Sequence, residues 1–171
     1  IKNHKLMETL NSENQPEVKY AGFWLRFVAY IIDDLLLGIV GFFLSIPFVV
    51  AIVFSAFRIA EAEGDTEKTF LGIAGILGAV LMLIMVITVV GWLYFALMES
   101  SKQQATLGKM ALSLKVTDMS GNRISFGRAT GRYFGKIISG AIFMIGYILA
   151  GLTEKKQALH DIIASCLVIR K

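Results

Sequence analysis

Two long stretches of this chain hold no charged residue, one between Asp34 and Arg58 and the other between Lys68 and Glu99. Each is longer than the ~20 mainly apolar residues that cross ~30 Å of hydrocarbon. The pattern predicts a first span near Phe23–Phe57 and a second near Phe70–Met98. Pro47 lies inside the first and lacks a backbone donor, which predicts a kink there. Gly72, Gly75 and Gly78 open one end of the second to close helix contact. Tyr20, Phe23 and Trp24 at one end, and Trp92, Tyr94 and Phe95 at the other, suit membrane–water interfaces.

Past Met98 the period changes. Leu112 to Thr117 alternates apolar and polar, Asp118 to Asn122 is turn chemistry, and Arg123 to Phe126 alternates again. That predicts a β-hairpin over about 111–126, preceded by a short helix over Thr106–Ala111. Residues 127–153 form a third helical element. Arg128, Arg132 and Lys136 recur every four positions on one stripe, followed by the apolar run Ile137–Leu152 with Gly140 and Gly146 in it. The run is short for a full crossing. A helix over Ala158–Ala164 and a strand over Cys166–Arg170 close the chain. Residues 1–16 read as a polar tail and 17–171 as a single membrane domain.

Charge sets the topology. Lys102, Lys109, Lys115, Arg123, Arg128, Arg132 and Lys136 face only Glu99 and Asp118 in the 99–136 region, whereas the 58–69 loop is acidic. Positive residues mark the cytoplasmic side, so the N-terminus and the 99–136 region are expected in the cytoplasm. A third full span would carry Lys155, Lys156, Arg170 and Lys171 to the outside and deprive the last strand of a partner. Re-entry of residues 127–153 from the cytoplasmic side avoids both, and a tilted third span is the alternative. The fold class is therefore an α-helical integral membrane protein. It has two full transmembrane helices, a third re-entrant or spanning element, and a small cytoplasmic β-hairpin or three-stranded sheet.

Composition agrees with this class: 56% of residues are hydrophobic and 18% charged, against about 25% charged in soluble domains. The net charge of +4 reports topology rather than nucleic-acid binding, because the aromatics lie in the apolar runs and not between bases. One cysteine, Cys166, excludes an internal disulfide and a multi-cysteine metal site. The polar stretch Lys2–Lys19 has no apolar core of the signal-peptide kind.

Of the acids, only Asp33 and Asp34 fall within a span, seven and eight residues after Arg26. Seven residues place Arg26 and Asp33 on one face, roughly 10 Å apart along the axis. Two neighbouring carboxylates in low dielectric cannot both stay ionised cheaply, so one takes a proton or a cation arrives. The plain alternative is that Asp33 or Asp34 pairs with Arg128, Arg132 or Lys136 and clamps the third element to the first span. His160-Asp161 reads as a helix cap or a link to the basic region rather than a metal pair. Lys109 after Gly108 lacks the strand, Gly-rich loop and helix frame of a phosphate site. No Ser/His/Asp or Cys/His set is coherently placed, so neither an enzyme nor a bound cofactor or metal is expected.

Arg26 with Asp33-Asp34 in the run Phe23–Asp34 resembles the RDD family, named for its Arg and Asp-Asp. Ala105–Met110 resembles that family's Gly-Lys motif, Leu114–Asp118 with Gly121 and Ser125–Arg128 its hairpin, and Gln157–Ala164 its closing His-Asp helix. Met110 stands where the family more often has a base. The similarity covers roughly residues 17–170. It implies a multi-pass protein of the bacterial inner membrane, some of whose family members look like monovalent cation/proton antiporters. On that reading Asp33 and Asp34 bind the ion or proton, Arg26 tunes them, and Arg128, Arg132 and Lys136 gate the mouth. Gly108, Lys109, His160 and Asp161 are then structural. Two or three short spans line a pathway poorly, so a homo-oligomer in the lipid bilayer is expected. Two other readings stand beside it. One is an assembly module that holds a protein partner at its cytoplasmic face. The other is lipid or amphiphile binding in a cleft closed by the re-entrant segment.

Overall fold

The computed structural model describes residues 18–141 and 145–171. Helix α1 (Phe23–Ala60) and helix α2 (Thr66–Ser100) are each long and apolar enough to cross a membrane. At 1.5 Å per residue they are about 57 and 52 Å long. Large apolar side chains cover their outer surfaces: Phe42, Phe43, Phe54, Phe57, Phe70 and Leu81 are all more than 60% exposed. α1 continues through Pro47.

The two helices form an antiparallel hairpin. Gly72 sits against Ile59 and the Ser55 carbonyl, Gly75 against the Ser55 hydroxyl, and Tyr94 reaches Asp33 near the other end. A Cβ at Gly72 or Gly75 would collide with α1, whereas Gly78 faces open space. The expected loop over 58–69 is shorter, because both helices run into it. Asp65 caps α2 by accepting the N–H groups of Glu67 and Lys68 at 3.0 and 3.2 Å.

The remaining elements gather at the end of the hairpin that holds Phe23 and Ser100. Helix α3 (Leu107–Ala111) leads into strand β1 (Leu114–Asp118). Helices α4 (Phe126–Ala141) and α5 (Ile145–Leu152) follow, then helix α6 (Leu159–Ile163) and strand β2 (Cys166–Arg170).

The expected hairpin over 111–126 is not formed. β1 pairs antiparallel with β2, in register from Leu114 opposite Arg170 to Asp118 opposite Cys166. The Asp118 carboxylate instead holds a turn by accepting Ser120 and Asn122 N–H, and the Ser125 hydroxyl accepts Arg128 N–H at the start of α4. Residues 123–126 thus become a helix entry. On the other edge of β2, Tyr20 bridges Ile169, with Ala21 N–H on the Val168 carbonyl and Arg170 N–H on that of Lys19.

The third element consists of two helices. α4 enters the bundle antiparallel to α2: Trp92 donates to Thr130 at 3.1 Å and the Tyr133 hydroxyl donates to the Thr88 carbonyl at 3.3 Å. The chain then reverses. Tyr147 of α5 donates to the Lys136 carbonyl at 3.2 Å, and Gly146 lies against Ser139. Eleven residues of continuous helix would separate Lys136 and Tyr147 by about 16 Å, so the contact requires a fold back. Gly151 approaches Phe23, which returns the chain to the end it left. The compact core lies at this end: Ala21, Ala29, Ala96, Leu114, Val116, Ile124, Ala129, Cys166 and Val168.

Candidate functional site

Asp33 and Asp34 are adjacent, and the helix sends them to different surroundings. A step of 100° per residue points Asp33 toward α2 and α3, where it is 1% exposed. Its Oδ1 accepts the Tyr94 hydroxyl and the Gly108 N–H, both at 2.7 Å, and its Oδ2 accepts the Thr106 hydroxyl at 2.6 Å. Tyr94 in turn accepts Leu107 N–H at 3.1 Å. Asp33 therefore caps the N-terminus of α3 from a distant helix. Thr106 occupies the cap position without a side-chain cap bond of its own, its hydroxyl being directed at Asp33. Gly108 is required there: a Cβ would run into the Ala29 carbonyl and the Asp33 carboxylate.

Arg26 touches neither aspartate. Its Nη1 pairs with Asp161 of α6, its Nε donates to the Ala21 carbonyl at 2.9 Å and its Nη2 to the Lys156 carbonyl at 2.6 Å. Asp161 is the first link of an alternating chain of buried charges. Its Oδ1 accepts Arg132 Nε at 2.6 Å, and Arg132 Nη1 reaches Glu99 Oε2 at 2.7 Å. Glu99 Oε1 takes Lys109 Nζ at 2.5 Å and has Lys136 Nζ at 3.8 Å. The chain thus ties α1, α6, α4, α2 and α3 together. Every carboxylate in it has at least two basic partners, the condition under which buried charges are tolerated. Asp161 also accepts Ala158 N–H at 3.1 Å, which caps α6. Burial alone would raise the Asp161 carboxyl; Arg132 and Arg26 overcome this and hold it well below the carboxylate range. Burial pushes the neighbouring His160 imidazole down to about 3. Its Nδ1 lies 3.3 Å from the Ser139 hydroxyl.

Of the basic stripe, Arg132 is in this chain and Lys136 at its margin, with Nζ 3.7 Å above the Phe95 ring. Arg128 is exposed and makes no ion pair among the described residues. Glu99 and Tyr94 are central here, and the sequence does not single them out. Glu99 stands at the end of a span where acids are ordinary, and Tyr94 reads as an interface residue.

Asp34 faces the other way, into a cleft of about 660 Å³. The cleft runs between α1, α2 and the α4–α5 hairpin. The α1 wall is one helical stripe: Tyr30, Asp34, Gly38, Gly41 and Ser45. It is about 22 Å long. Gly38 and Gly41 leave it open, since a Cβ on either would meet nothing within 4 Å. Tyr30, Asp34, Lys136 and Tyr147 line its end nearest the sheet. At the far end the Ser45 and Thr88 hydroxyls bond the carbonyls of Phe42 and Ile84 in their own helices, both at 2.7 Å, so that end presents an apolar wall. Asp34 makes no hydrogen bond or ion pair among the described residues. No group of three His, Cys, Asp or Glu suited to a metal occurs among them either.

The model of the RDD family matches residues 20–165. The chain is 41% identical over 153 residues to Bacillus subtilis YxaI, described as an uncharacterized protein, covering 90% of this chain and 99% of that one. It is 31% identical over 159 residues to YteJ of the same organism, described as an uncharacterized membrane protein, covering 89% and 82%. No solved structure gives a significant match.

Proposed function

The chain belongs to the RDD family, and on that premise we propose that this membrane protein binds an amphiphile laterally, in the cleft between α1, α2 and the α4–α5 hairpin. The observation that carries the reading is the cleft itself. Its volume lies in the range of small-molecule sites, about 300–1,000 Å³. Its long wall is apolar, and its polar groups collect at one end, as the parts of an amphiphile do. It is formed within one chain, so it needs no oligomer.

The sheet end is assigned to the cytoplasm of a bacterial inner membrane, with α1 and α2 as the spans. Supporting this are Lys102, Lys115, Arg123, Arg128, Arg170 and Lys171 at that end, against Glu61, Glu63, Asp65 and Glu67 at the other. The α4–α5 hairpin then enters and leaves from the cytoplasmic side. At about 24 and 12 Å its helices are too short to cross, and backbone at that depth is acceptable because it packs on α2 and α6.

Cation/proton exchange at a pair of carboxylates draws no support from this geometry. Asp33 is saturated by three donors and turned toward α3, and Asp34 faces the cleft alone.

The test is extraction and mass spectrometry of amphiphile that remains with the purified protein. About one molecule per chain is expected in the parent and a clear deficit in Gly38→Leu/Gly41→Leu, whose added side chains fill the cleft. Equal amounts in both proteins would remove the cleft as the site.

A further inference from the structure

Asp34 gives the cleft a sign. Asp34 is exposed on the cleft wall toward its end nearest the sheet and makes no hydrogen bond or ion pair among the described residues, and a matching positive charge in the groove would stabilise it. Lys136, the other charged residue of the lining, does not supply one: its ammonium lies against Glu99 and the face of Phe95. The near end also carries the rings of Tyr30 and Tyr147. Electron-rich ring faces attract cations, and quaternary ammonium groups are commonly held between aromatic rings beside an acid. An anionic head would meet Asp34 as a like charge, and a neutral one would leave that carboxylate unpartnered.

We propose that the occupant of the cleft is a cationic amphiphile, an alkyl chain bearing an ammonium head, with the head at Asp34 between Tyr30 and Tyr147 and the tail along Gly38 and Gly41. The inference rests on the amphiphile reading above and adds the charge of the ligand. It makes Asp34 the counter-ion, whereas its neighbour Asp33 belongs to the scaffold.

The experiment is equilibrium dialysis of three amphiphiles of equal chain length against protein-bearing and empty nanodiscs: decyltrimethylammonium, decyl sulfate and decyl maltoside. The parent should bind the ammonium compound saturably. Asp34→Asn should weaken that binding at least tenfold, Asp34→Glu should retain most of it, and the uncharged maltoside should respond to neither change. Saturable binding of the sulfate as tight as that of the ammonium compound, or an unchanged ammonium affinity in Asp34→Asn, would overturn the charge assignment and leave amphiphile binding standing. Absence of saturable binding for all three would overturn both.

Discussion

The Thr106 hydroxyl donates to the Asp33 carboxylate at 2.6 Å, across 73 residues of chain. With Tyr94 and the Gly108 N–H, this bond gives the second residue of the Arg-Asp-Asp signature a structural role, that of pinning the short helix α3 to both spans. Buried donors left without acceptors cost about 1–3 kcal/mol each. Asp33→Ala is therefore expected to lower stability by at least about 2 kcal/mol, and Asp33→Asn, which keeps one acceptor oxygen, by about 1 kcal/mol. Denaturant unfolding in detergent, followed by circular dichroism, checks both.

Gly108 supplies an independent check of the same joint. Gly108→Ala places a methyl group against the Ala29 carbonyl and Asp33. Overpacking of this kind costs about 1–3 kcal/mol. The control is Gly41→Ala, which meets nothing and should leave the thermal midpoint unchanged or slightly higher. A Gly108→Ala protein as stable as that control would mean that α3 does not dock on α1 as described.

Glu99 is the acid on which three bases converge. Its removal leaves Lys109, Arg132 and Lys136 facing one another in a buried site. Breaking a buried pair from one side costs about 3–5 kcal/mol, and Glu99→Ala should reach or exceed that range. Lys136→Ala, whose partner lies at 3.8 Å, should cost far less. Equal losses in the two proteins, measured by thermal unfolding, would show that the charges are not linked in the order given.

Acid should loosen this end of the molecule in two steps. Folded His160 is held near 3, against 6.5 when unfolded. As pH falls below about 6.5 the unfolded chain gains a proton that the folded chain refuses, so stability declines toward pH 3. Asp161, folded well below its ordinary 3.8, contributes stability present above that value and lost beneath it. His160→Gln should flatten the dependence of the thermal midpoint between pH 7 and 4.5. An unchanged slope would place the acid sensitivity elsewhere.

The two spans, the short helix α3, the closing helix and strand, and the helical character of residues 127–153 are legible in the sequence. Each is marked by a local signal: an uncharged run, a glycine, or an alternation. The pattern over 111–126 misleads because alternation names a strand and not its partner. Asp118 and Ser125 favour a turn and a helix cap, and β1 finds β2 instead. The Arg26–Asp161 pair spans 135 residues, and no spacing rule reaches that far. Spacing puts Arg26 and Asp33 on one face, yet Asp161 comes closer once the terminal strand docks. The separation of Asp33 from Asp34 follows from helical geometry alone, but which of the two faces scaffold and which faces cleft depends on where α3 packs.

The most direct measurement is to find where an alkyl chain rests on this protein in a bilayer. A photoreactive alkylammonium probe, cross-linked in native membranes and mapped by mass spectrometry, should label Leu37–Ser45 of α1 and Ile87–Gly91 of α2, and that labelling should fall in Gly38→Leu/Gly41→Leu. Labelling spread evenly over outward residues such as Phe43, Val50 and Leu81, and unchanged when the cleft is filled, would contradict the account.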